Sequence, residues 1–168
     1  DAPVHLAALG GMRLSEILGL RWRDVDFDKR VLHIRTAKIT RADRSVCLKS
    51  TKTTDSTRTL KMLPAVCASL RRAYCPGAEF VTNLKAHSIY DRYCKALAAA
   101  CPGKHYTLHE LRHYCASVMI MLGIPTKYIS DYLGHETEDM VNRVYGHIMQ
   151  DKKDEMFDRL EEYYNGIL

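Results

Sequence analysis

A change of hydrophobic period near residue 63 constrains this chain more than any other feature. Between Val31 and Leu63 apolar and polar residues alternate in the runs VLHIRTAKI, SVCLKST and TRTLKML, which are rich in Val, Ile and Thr. Alternation with that composition is the signature of strands with one buried face. The connections TRADR and KTTDS are short and polar, which predicts an antiparallel meander. From Pro64 onward the apolar spacing becomes three to four residues and predicts helices. They are expected at Pro64 to Ala73, Ser88 to Ala100, His109 to Leu122, Thr126 to Leu133, Thr137 to Tyr145 and Asp151 to Tyr164. Upstream, Leu14 to Leu20 reads as a short helix after Gly10-Gly11, and DVDFDKR as a turn. The expected fold class is α+β, mainly helical with a small three-stranded antiparallel sheet.

A chain of 168 residues is of ordinary size for one domain. The opening VHLAALGGM reads as the end of a helix already under way, so residues 1–168 are expected to be one catalytic-size domain of a longer protein, with 151–168 a terminal amphipathic helix. No apolar run approaches the roughly 20 residues that cross a bilayer. The six cysteines include no C-x-x-C pair, and no secretory signal precedes Asp1, which points to reduced thiols in a cytoplasmic protein. The net charge of +5 is unevenly spread. Asp28 to Lys61 holds ten Lys or Arg against three Asp, whereas Asp151 to Glu162 holds three basic and six acidic residues. A basic segment of this kind suggests a polyanion footprint or a solvated sheet face.

The stretch HELRH, His109 to His113, has two chemical readings. As H-E-x-x-H it places two imidazoles on one helix face for zinc, with Glu110 to activate water and Glu136 or Glu138 as a third ligand. As H-x-x-R it places His109 and Arg112 on one face for a phosphate. Arg112 beside His113 counts against a divalent ion through plain repulsion. The zinc reading also leaves the basic hairpin and the other reactive residues without a purpose.

Metal-free transfer of a DNA strand needs guanidiniums for the phosphoryl oxygens, a nucleophile that keeps the bond energy, and an acid for the departing 5′ oxygen. The sequence offers each part. Arg13 lies beside Gly10-Gly11 at a helix start, and His109 and Arg112 lie three apart. His135 in LGHE follows a helix end, Lys52 in STKTTDS sits at a hairpin tip, and Tyr145 in RVYGHI ends a helix. Each has a plainer alternative: Arg13 pairing Glu16, Lys52 a solvated turn lysine, His135 a cap donor, Tyr145 one of ten tyrosines. Their combination and order carry more weight than any one of them.

That combination resembles the catalytic domain of the tyrosine recombinases, the phage-integrase family. GGMRLSEILGLRWRDVDFD resembles the first arginine box, TKTTDSTRTL the lysine hairpin, TLHELRHYCAS the H-x-x-R box, and YLGHETEDMVNRVYGHI the histidine and tyrosine box. The resemblance implies that Arg13 and Arg112 clamp the scissile phosphate, with His109 and His135 assisting. It implies Lys52 as the general acid, Tyr145 as the nucleophile forming a 3′-phosphotyrosine, and Glu16 and His113 in support. It implies no metal and no ATP. The partners it implies are double-stranded DNA and further protomers in a four-protomer synapse, with no membrane, in a bacterial nucleoid-associated setting. Lys38, Arg41, Arg44, Lys49 and Arg58 are the expected contacts to the DNA backbone. The family's upstream DNA-clamping domain is not encoded here, and the acidic terminal helix either docks on a neighbouring protomer or packs at home. LGIPTKYISDYLGHE also looks like a helix-turn-helix, which leaves a non-catalytic DNA-binding module as the alternative.

Overall fold

The computed structural model describes residues 1–40, 46–50, 57–134, 141–142, 146 and 156–166. Helix α1 (Ala2–Ala8) carries a proline in its first turn and buries Ala2, Leu6 and Ala7. Gly10 and Gly11 then reverse the chain. A Cβ at Gly10 would lie 2.7 Å from the Leu6 carbonyl oxygen, and Gly11 has φ +59° and sits against Leu133. The reversal delivers Arg13 to the N-cap of α2 (Leu14–Gly19), where the Glu16 carboxylate accepts the Arg13 backbone N–H at 2.9 Å. A 3₁₀ turn (Trp22–Asp24) follows.

The strand region differs from a single meander. Strands β1 (Val25–Asp26), β2 (Val31–Ile34) and β5 (Arg58–Lys61) form one antiparallel sheet in the order β1-β2-β5, and among the described residues β3 (Thr36–Thr40) pairs with β4 (Val46–Ser50) alone. The run VLHIRTAKI is thus divided at Arg35, whose guanidinium holds Asp24 at 3.0 Å. The reason is burial. Leu32 and Ile34 face the core, and the run that can meet them is β5, whose Leu60 pairs with Leu32 and whose Arg58 pairs with Ile34. The β3–β4 ribbon leaves the body with Ile39, Val46 and Leu48 exposed. Val25–Asp26, read as part of a turn, is a short edge strand.

Helices α3 (Pro64–Ala73), α4 (Ala86–Ala100), α5 (Leu108–Met121) and α6 (Thr126–Leu133) agree with the sequence expectation to within two residues at each end. The main core joins Leu6, Met12, Ile17, Leu32, Ile34, Leu60, Val66 and Leu70, and α1 packs against α5, α3 and α2. A smaller cluster of Ala116, Ile120, Ile129, Leu133 and Val141 locks α6 onto α5. The stretch 156–165 is helical, and Met156, Phe157, Leu160, Tyr163 and Tyr164 on it are exposed. The helix expected at Thr137 to Tyr145 lies mostly outside the described residues. No helix among the described residues is long and apolar enough to cross a membrane.

Candidate functional site

The C-terminal end of α6 is the structural centre of the site. The last carbonyls of any helix lack partners inside it and carry the negative end of its dipole. Here guanidiniums from separate elements take consecutive ones: Arg58 Nε donates to Tyr132 O at 2.8 Å, Arg112 Nη2 to Leu133 O at 2.8 Å, and Arg13 Nη2 to Gly134 O at 2.9 Å. Arg112 also donates through Nη1 to Gly11 O, tying α5 to the glycine turn before Arg13. Arg13 and Arg112, 99 positions apart in sequence, therefore meet on adjacent carbonyls. Gly134 ends the helix at φ +66°, and the chain then enters His135.

Burial separates these guanidiniums. Arg112 is 3% exposed, whereas the Arg13 side chain is 38% exposed and can meet an anion from solvent. Arg13 Nη1 also bonds Glu16 Oε1 at 3.0 Å, so the plainer Arg13–Glu16 pairing exists alongside the convergence on α6.

His109 lies on the exposed side of α5, with its ring edge-to-face against His113 at 4.7 Å between centroids and 87° between planes. Partial desolvation, then the charges of His113, Arg112 and Arg13, hold its pKa below the ordinary histidine value. The imidazole is neutral near pH 7, and both arginines act on it electrostatically. Glu110, the water activator of the zinc reading, is engaged elsewhere. Its carboxylate accepts the Thr107 N–H, and its own N–H donates to the Thr107 hydroxyl at 3.1 Å, closing a capping box. The two rings packed edge to face and the glutamate held at the cap together form the N-terminal turns of α5. Glu136 and Glu138 lie outside the described residues.

Lys52, His135, Tyr145, Arg41 and Arg44 also lie outside the described residues, as does the Lys49 side chain. Lys38 rests 4.8 Å above the Phe80 ring. Arg58 requires correction. Expected among the DNA contacts, it is buried, with Nη1 and Nη2 on the two Glu16 carboxylate oxygens at 3.0 and 2.9 Å. Its position on β5 explains why: Arg58 and Leu60 share the inward face. The alternation of TRTLKML carried that signal, since Arg58, Leu60 and Met62 have one parity. Burial alone would raise the Glu16 pKa, but bonds and charge from Arg58 and then Arg13 outweigh it and hold the carboxyl below its usual range.

The assembled groups are two converging guanidiniums, one of them reachable, a neutral imidazole beside them, and a third guanidinium securing the carboxylate behind. Such a set suits a tetrahedral oxyanion. The model of the phage integrase family matches residues 2–152. A tyrosine recombinase XerC-like protein of Caldanaerobacter subterraneus is 24% identical over 96% of this chain and 49% of its own length. The ICEBs1 integrase of Bacillus subtilis is 27% identical over 94% of this chain and 47% of its own. The chain spans about half the length of these curated relatives. Among solved structures, the Tn1549 transposon integrase in complex with transposon right end DNA superposes with a TM-score of 0.76 at 23% identity, covering 96% of this chain and 58% of that one. With the family match extending over nearly the whole chain, this protein belongs to the phage integrase family.

Proposed function

We propose that this chain is the catalytic domain of a site-specific DNA recombinase of the integrase type, cutting and rejoining DNA without a metal. The observation that carries the reading is the meeting of Arg13 and Arg112 at the end of α6, with His109 in their field and His135 next along the chain. In the proposed reaction Arg13 meets the nonbridging oxygens of a phosphodiester from the exposed side and Arg112 supports them from the buried side, with His135 as a further donor. The Tyr145 phenol oxygen attacks phosphorus, and its proton passes to neutral His109. The P–O5′ bond breaks, Lys52 protonates the leaving oxygen, and a 3′-phosphotyrosine remains. Attack by another strand's 5′-hydroxyl reverses these steps, so no external energy source is consumed. Lys38, Arg41, Arg44 and Lys49 are assigned to the DNA backbone, and His113 to support of His109 through the ring contact.

The partners proposed are double-stranded DNA and other protomers of the same protein, with the exposed apolar side chains of 156–165 docking in trans. The setting proposed is the bacterial cytoplasm, on the nucleoid, in a phage or other mobile element. The non-catalytic helix-turn-helix alternative is less well supported. Arg112 of α5 and the final carbonyls of α6 are committed to the arginine site, and the exposed Lys127 of α6 is paired with Asp131 at 3.2 Å.

The test is a nicked suicide duplex selected from a sequence library by covalent capture. The expected result is a protein–DNA adduct that survives SDS and chelator, and that Tyr145→Phe abolishes with little change in affinity. Cleavage by Tyr145→Phe, or loss of activity to chelator, would overturn the proposal. Lys52→Ala should slow cleavage on an ordinary duplex and recover on one with a 5′-bridging sulfur, because a thiolate leaves unaided.

A further inference from the structure

Arg58 lies in the interior with Nη1 and Nη2 both on the Glu16 carboxylate, so its charge is committed to Glu16 and not to a phosphate of bound DNA. A buried ion pair adds little net stability over an apolar pair of similar volume. Its value therefore lies in what it holds. Glu16 is saturated: Oε1 accepts Arg13 Nη1 and Arg58 Nη1, both at 3.0 Å, while Oε2 accepts the Arg13 backbone N–H and Arg58 Nη2, both at 2.9 Å. With Arg13 alone, Glu16 would form a closed pair and cancel the charge an incoming phosphate needs. With Arg58 behind it, the trio keeps one positive charge, and Arg13 is its exposed member.

We infer that Arg58 is a positioning residue for the phosphate clamp. It holds Glu16 from the buried side, which leaves Arg13 an uncancelled charge toward solvent. It also grips the Tyr132 carbonyl, which fixes where the chain leaves α6 toward His135. The close approach of Arg58 to Gly134 belongs to the same device, because a Cβ there would stand 2.7 Å from Arg58 Nη1. The catalytic consequence rests on the strand-transfer reading; the electrostatic one does not.

The experiment compares Arg58→Met, Arg58→Lys and the double variant Glu16→Gln/Arg58→Met, each checked for folding by circular dichroism. One readout is inorganic phosphate affinity, followed through the His109 ring signals; the other is single-turnover adduct formation on the captured duplex. Arg58→Met should weaken phosphate binding about fivefold, since Glu16 then falls wholly on Arg13. It should slow adduct formation at least about tenfold. The double variant removes both buried charges and should regain most of the phosphate affinity. Arg58→Lys keeps the charge but loses the fork, so it should bind phosphate nearly normally and still form adduct slowly. A folded Arg58→Met with wild-type affinity and rate would overturn the inference, as would a double variant no better than the single one, which would mark a purely packing role. If Arg58→Met does not fold, Arg58→Lys against the double variant makes the same comparison, and a wild-type adduct rate in Arg58→Lys removes the positioning role. A wild-type chain that binds phosphate but forms no adduct defeats the strand-transfer reading instead, while the phosphate series still decides the electrostatic claim.

Discussion

Gly134→Ala is a small substitution with a large expected cost. The residue sits at φ +66°, where a side chain costs about 1–2 kcal/mol. The added Cβ would also stand 2.7 Å from Arg58 Nη1, 3.1 Å from Cζ and 3.2 Å from Cδ, all closer than carbon normally tolerates. Arg58 has no room to yield without giving up a bond to Glu16 or to the Tyr132 carbonyl. Losing one charge-assisted hydrogen bond of this kind costs about 1.5–3 kcal/mol. Together these predict a destabilisation of about 2.5–5 kcal/mol. In a chain of this length, each kcal/mol lowers Tm by about 2–4 °C. Urea unfolding with a common m-value measures the cost. Repeating it in an Arg58→Ala background separates the parts, because Nη1, Cζ and Cδ are all gone and only the backbone cost of about 1–2 kcal/mol should remain. A cost below about 1 kcal/mol in the wild-type background, or the same cost in both, would refute the claim that Gly134 exists to admit Arg58.

Further outcomes follow from the same geometry. Glu16 is depressed below the usual carboxyl range: burial works against ionisation, and Arg58 and Arg13 overcome it. Its contribution to stability is therefore present above the unfolded pKa, about 4.3, and disappears as pH falls through the lower folded value. Acid unfolding should show this slope in the wild type and lose it in Glu16→Gln; an unchanged slope would refute the assignment. His109 should titrate below about 6.5 by NMR, and Arg13→Gln should raise its midpoint by removing one opposing cation; a lower or unmoved midpoint would contradict their proximity. Thiol labelling should reach Cys75 and Cys101 in the folded chain. It should spare Cys67 and Cys115 until unfolding, since burial pushes the Cys115 thiol up to about 11. Early modification of Cys115 would place the α1–α5 contact wrongly.

The helices are legible because apolar spacing, Pro64 and Gly123 mark their faces and ends locally, whereas the Thr107–Glu110 cap and the Gly134 stop emerge only in the structure. The strands were legible as strands but not in their pairing. Alternation shows that two runs have buried faces, yet it does not show which half of VLHIRTAKI turns inward, and that half chose Leu60 as its partner. The residue types of Arg13, His109 and Arg112 suit a phosphate and occur in one order, and the structure brings the two arginines onto adjacent carbonyls with His109 in their field. The charge of Arg58 suggests a surface contact, but its parity with Leu60 in the strand turns it inward. The acceptors Gly11, Tyr132, Leu133 and Gly134 had no signal at all: they act through backbone carbonyls, which every residue type possesses.

The charge count of the site bears on which state of the substrate it favours. Among the described residues, three guanidiniums against one carboxylate leave a surplus of two, with the His109 pKa held below the ordinary histidine value. A phosphodiester brings a single negative charge, whereas the state with five oxygens around phosphorus carries a second. On the strand-transfer reading, Lys52 and the proton taken up by His109 add to this surplus as negative charge grows at phosphorus, so the site favours the transition state over bound DNA at rest. Removing Arg58 lowers the surplus to one, the charge of resting substrate. The loss should then fall on the rate of adduct formation more than on DNA affinity.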